Sequence, residues 1–120
     1  MKTGQLIALL VNRYIGVEAG YLGDFTYRSH KEFYPEYCGL SKDPNLLEGT
    51  TRDRFMAIFQ AATPAEQGKI ILGVLERFPF GEGPKTRTAA LAKELASEAE
   101  RLSASKLVGD PSLATNSEMV

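Results

Sequence analysis

The stretch "TPAEQGKIILGVLERFPF" limits what this chain can fold into more than any other. Thr63 stands where an N-cap hydroxyl belongs, Pro64 takes the first helical position, and Glu66 takes the third. Ile70, Ile71, Val74, Leu75 and Phe78 then recur at i, i+1, i+4, i+5 and i+8 and put an apolar stripe on one helix face, which stops before Pro79. Such a stripe must be buried, and the remaining sequence supplies further helices rather than convincing strands. The expected fold is all-α: a compact bundle of four to five helices with a Tyr-rich loop or short-helix insertion.

The other helices are read in the same way. One spans about 4–15, with Thr3 as N-cap, Leu6, Ala8, Leu9, Leu10 and Tyr14 packed, and Gln5, Asn12 and Arg13 towards solvent. Gly16 and Gly20 bracket a turn. A second helix starts at Ser29, which has capping-box spacing to Glu32; Pro35 kinks or interrupts it and Gly39 closes it. "SKDPNLLEG" is a loop. A third helix opens at Thr50 or Thr51, with Asp53 in its first turn and Phe55, Met56, Ile58 and Phe59 inside. The reading therefore places a helical core domain over 1–80, a Gly/Pro linker over 81–86, an amphipathic helix over 87–108 and a disordered tail over 109–120. Leu91, Leu95 and Leu102 form a narrow seam on that last helix, suited to a neighbouring or partner helix and to self-association.

Bulk charge narrows the function. With 14 basic and 15 acidic side chains the formal net charge is -1, which lacks the signature of a dedicated nucleic-acid binder. The apolar run "LIALLV" is too short to span a bilayer, where about 20 residues are needed, and it lacks a signal-peptide cleavage site. A cytoplasmic chain with no membrane partner is expected. The single cysteine leaves no intramolecular disulfide.

Chemistry-bearing residues crowd into "GYLGDFTYRSHKEFYPEYCGL", which holds four of the five tyrosines, the single His30 and the single Cys38. A metal site would need several converging ligands, and only Asp24, His30 and Glu32 offer themselves, so neither a metal nor a cofactor is expected. Cys38 has no second partner for a catalytic dyad and suits the core, while His30 is expected at an early, partly exposed helix position. "GEGPKT" lacks phosphate-loop spacing, and no Arg stands four to six residues before His30, an arrangement that small helical RNases often use. No catalytic residue is assigned. The candidate binding surface is Tyr21, Asp24, Tyr27, Arg28, His30, Tyr34, Tyr37, Arg52 and Arg54, with Lys31 beside it. Tyr and Arg suit a protein interface; base stacking with phosphate contacts is the alternative, and nucleic acid is not the favoured partner.

"LLVNRYIGV" and "GYLGDFTYRSHKEFYPEYC", followed by "EGTTRDRFMAIFQAATPAEQGKIILGVLERFPF", resemble the N-terminal helical region of bacterial abortive-infection proteins over about residues 5–80. The resemblance implies a phage-defence role, with this region serving sensing or protein contact. Those proteins carry a further effector domain; no residue here matches its motif, so its activity is not carried over. The expected function is a non-enzymatic protein-interaction or sensor module.

Overall fold

Threonine hydroxyls set four of the helix starts. Each accepts a hydrogen bond from the amide three residues on: Thr26 from Ser29 (3.0 Å), Thr50 from Asp53 (3.2 Å), Thr63 from Glu66 (3.2 Å) and Thr88 from Leu91 (3.1 Å). A capped amide is one of the four that a helix N-terminus leaves without an internal partner. The computed structural model describes residues 1–109, with side chains through 104. Most of the expected tail, 110–120, lies outside the described residues.

The order along the chain is α1 (Thr3–Ala8) continuing as a π-helical segment (Leu9–Ile15), β1 (Val17–Glu18), β2 (Tyr21–Leu22) and α2 (Tyr27–Phe33) with its π-helical continuation (Tyr34–Cys38). A 3₁₀ turn (Pro44–Leu46), α3 (Thr51–Ala61), α4 (Pro64–Arg77) and α5 (Ala89–Gly109) follow. The fold is mostly helical, as the apolar periodicity requires. None of the described helices is long and apolar enough to cross a membrane.

Several local expectations change. β1 and β2 pair antiparallel, Val17 opposite Leu22 and Glu18 opposite Tyr21, where no strand was expected. Two residues per strand are too short for an alternating pattern to register in sequence. Lys2, not Thr3, precedes the first helical residue of α1. Thr26, not Ser29, caps α2: Ser29 is the third helical residue, and its hydroxyl accepts from the Thr26 amide at 2.9 Å. Thr26/Ser29 and Ser29/Glu32 both have capping-box spacing, and the structure uses the first, three residues earlier. At Pro35 the helix widens instead of breaking. Proline has no N–H and its ring crowds the carbonyl four residues back, and a π-helical turn relieves both. Gly39, at φ 66°, closes that turn by donating to the Tyr34 carbonyl.

The core joins all helices. Leu6, Leu10 and Tyr14 from the first helix meet Phe33 and Tyr34 of the second, Phe55 and Phe59 of α3, Ile70, Ile71 and Val74 of α4, and Leu95 and Ala99 of α5. Leu75 of the expected stripe is only half-buried. α5 packs most extensively on α4. The backbones approach closely there: a β-carbon at Gly68 would lie 3.0 Å from the Ala99 carbonyl oxygen. Leu91, Leu95 and Leu102 are thus buried inside the chain's own core: the seam read from sequence serves a neighbouring helix, and the expected use of it for a partner helix or self-association is corrected, since these leucines are not free.

The segment 81–86 is held as well. The Thr86 hydroxyl donates to the Arg13 carbonyl, and Arg87 follows as a buried side chain, 8% exposed. Its Nε donates to the Tyr14 carbonyl at 2.8 Å and its Nη2 to the Ile15 carbonyl at 3.0 Å. These two carbonyls belong to the last turn of the first helix, where internal partners run out. The guanidinium also lies over the Tyr14 and Phe78 rings, while the Tyr14 hydroxyl donates to the Phe78 carbonyl at 2.7 Å. Arg87 thus precedes α5, which starts at Ala89 rather than 87.

Two substitutions separate packing from propensity. A β-carbon at Gly73 would lie 2.6 Å from Cys38 Sγ and 3.1 Å from the Tyr37 carbonyl oxygen. Gly73→Ala is expected to destabilise by about 1–3 kcal/mol through overpacking. Gly4 has nothing within 4 Å, so Gly4→Ala should gain up to about 1 kcal/mol. Urea unfolding midpoints with unchanged slope check both. Arg87→Met, which keeps the stem but strands two carbonyls, should cost about 3 kcal/mol in the same measurement.

Candidate functional site

α2 is two-faced. His30, Phe33, Tyr34 and Cys38 recur at helical spacing and turn inward, while Tyr27, Arg28, Lys31 and Glu32 stay exposed. This divides the surface expected from sequence. His30 is fully buried, not partly exposed, and Tyr34 is buried with it, so neither belongs to a binding surface. Tyr37 is half-buried and stacks on Phe33 at 5.9 Å. The i, i+3, i+4, i+8 pattern of positions 30, 33, 34 and 38 was the available signal for this, and a histidine within it is easily taken for a polar residue.

The exposed part converges from four elements. The Leu22 amide donates to Thr51 Oγ1 at 2.8 Å, which fixes β2 against the start of α3 and places Tyr21. Thr26 starts α2 and places Tyr27 as its first residue. Gly49, at φ 100°, turns the preceding loop tightly into α3; a β-carbon there would lie 2.9 Å from that of Asp53. Arg54, one turn into α3, reaches back over the loop. Its Nε donates to the Gly49 carbonyl at 3.0 Å and its Nη1 to Asn45 Oδ1 at 3.1 Å. The guanidinium carbon sits 4.4 Å from the Tyr27 ring centroid, a cation–π arrangement. Tyr21 and Tyr27 stand 6.2 Å apart with planes tilted by 54°.

The result is a fixed rim of large apolar groups facing water: Tyr21 is 46% exposed, Tyr27 42% and Leu46 84%. Leu46 ends the 3₁₀ turn whose Asn45 anchors Arg54. Sequence reasoning missed Leu46, Asn45 and Gly49, because "SKDPNLLEG" reads only as a loop.

The remaining expected residues sit elsewhere or are otherwise engaged. Arg28 pairs with Glu32 at 3.5 Å and Arg52 with Asp53 at 3.7 Å. Asp24 pairs with Arg77 at 3.0 Å and lines a separate cleft of about 490 Å³ beside Glu82, Gly83 and Arg87. Asp24, His30 and Glu32 therefore each have other partners, and no cluster of three metal-ligating side chains occurs among the described residues.

Beneath the rim, His30 Nε2 lies 2.7 Å from the Tyr34 hydroxyl among the rings of Phe25, Tyr34 and Phe55, and its Nδ1 has no hydrogen-bond partner. Burial, reinforced by the Arg54 charge, pushes its pKa down from 6.5 to about 4. Burial also raises the Tyr34 hydroxyl well above its usual range. The Cys38 thiol is pushed up to about 12 by burial and then by Glu76, so it stays protonated at neutral pH and is not a thiolate nucleophile.

The neutral histidine makes stability depend on pH with a definite sign. A depressed pKa in the folded state means that unfolded chains take up the proton first. Stability is complete above about pH 6.5 and falls as pH drops towards 4, by roughly 1.4 kcal/mol per unit within that window. The Asp53 and Glu66 carboxyls, held below their usual range chiefly by the Thr50 and Thr63 amides, add their own losses once pH falls below about 5. Urea midpoints at pH 7 and pH 5 should differ accordingly, and His30→Leu should flatten the difference.

Comparison with protein-family models, with curated proteins and with solved structures finds no match for the chain.

Proposed function

We propose that this chain is a non-enzymatic protein-interaction module that docks a partner on the Tyr21–Tyr27–Leu46 rim. One observation carries the reading: Arg54 is locked over Tyr27 by Gly49 and Asn45, and Leu46, next in the chain to Asn45, is 84% exposed. Interfaces concentrate their energy in Tyr and Arg side chains whose geometry is set before the partner arrives, because little rotamer entropy is then lost on binding. The resemblance to the N-terminal region of abortive-infection proteins supports a cytoplasmic, bacterial, antiviral setting in which the module senses a phage-induced change through that contact. Base stacking is the weaker reading, since the guanidinium of Arg54 already covers one face of Tyr27.

A photo-reactive phenylalanine analogue at position 21 tests the proposal in phage-challenged bacteria. Crosslinking to a discrete protein from position 21, but not from exposed Leu72 on α4, is the expected result. Tyr27→Ala should weaken the captured complex by about 2 kcal/mol, roughly thirtyfold. Equal labelling from both positions, or none, overturns the reading.

A further inference from the structure

Beyond the rim, the outer face of α2 continues into a second cleft. Arg28, Lys31 and Glu32 of α2, with Pro35 and Lys42, enclose about 390 Å³. Three cationic side chains stand there against two carboxylates, Glu32 in the cleft and Glu66 beside Lys42. Arg28 is held by Glu32 only at 3.5 Å, with its own side chain 89% exposed. Lys31 makes no ion pair among the described residues, and Lys42 reaches sideways to Glu66 at 3.4 Å. Lys31 is therefore the local excess of positive charge, on a chain that carries a formal -1 overall.

Tyr27 and Lys31 are one helical turn apart and share a face of α2, so the cleft and the rim form one surface. The 3₁₀ turn that carries Leu46 also packs against α2. A ligand seated on the tyrosines therefore runs directly into the lysines. Complementarity demands that it be apolar at one end and negative at the other.

Resting on the interaction reading above, we infer that this surface receives an acidic peptide segment of the partner protein, with an aromatic or aliphatic side chain on the Tyr21–Tyr27–Leu46 rim and carboxylates against Arg28, Lys31 and Lys42. A peptide fits better than a nucleic acid. Glu32 stands inside the cleft, where a continuous phosphate backbone would meet it, whereas a peptide can place a neutral residue there.

Fluorescence anisotropy with the intact chain tests this, using a labelled peptide of glutamate pairs interrupted by a leucine and a tyrosine. The controls are its glutamine counterpart and an oligothymidylate. The glutamate peptide should bind, and binding should weaken as salt rises. Lys31→Glu, alone and combined with Arg28→Glu, should weaken it by about tenfold or more, and the glutamine peptide should bind as poorly. Both positions are exposed, and a circular dichroism spectrum identical to the parent's confirms folding. Absence of binding, equal binding of the glutamine peptide, retention by the charge-reversed variants or tighter binding of the oligothymidylate each overturns the inference. If the position-21 crosslink persists in any of those cases, the acidic class alone falls; loss of that crosslink removes the interaction reading itself.

Discussion

The guanidinium of Arg87 is the contact on which the arrangement of helices depends. It bonds two carbonyls at the end of the first helix, about seventy residues earlier in the chain, and lies over Tyr14 and Phe78. Tyr14 in turn bonds the Phe78 carbonyl just past α4. Three chain segments therefore meet at one charge and two rings. A charge this buried is tolerable only when its donors are matched, and helix-terminal carbonyls are suited to that because they have spare lone pairs. With Arg87 seated, α5 must begin beside the first helix and run back along α4, and its leucine seam is consumed internally.

With α5 used internally, Leu91, Leu95 and Leu102 contribute no exposed apolar surface. The surface with large exposed apolar groups is built by the hairpin, the start of α2, the 3₁₀ turn and the start of α3. It is rigid for local reasons: threonine caps fix both helix starts, Gly49 sets the loop, and Arg54 ties the loop to Tyr27. Below it, the His30–Tyr34 bond sits in an aromatic layer and makes the same helix part of the core. One helix thus supplies both the support and the contact face.

The sequence revealed its local chemistry well. The start of α4 at Thr63-Pro64, the end before Pro79, and the inward faces of α3 and α4 all follow from caps and periodicity within a few residues. The candidate surface was only partly legible. Tyr21, Tyr27 and Arg54 lie together, whereas His30 and Tyr34 turn inward and Asp24 belongs to a different cleft. Leu46 carried no signal, because an apolar residue in a polar loop can pack down as easily as it can project.

The division has a physical cause. Caps, proline positions and helical stripes act over one to four residues, so the amino-acid sequence by itself determined where helices start and which of their faces are apolar. Whether a polar side chain is buried depends on what lies opposite it. Arg87 reads as the first residue after a linker until the Tyr14 and Ile15 carbonyls are brought to it, and His30 reads as partly exposed until Phe25 and Phe55 close over it. Those partners are distant along the chain or lie on other elements. Only the tertiary structure decided that the arginine became an anchor, the histidine a core residue, and Tyr21 and Tyr27 part of the surface.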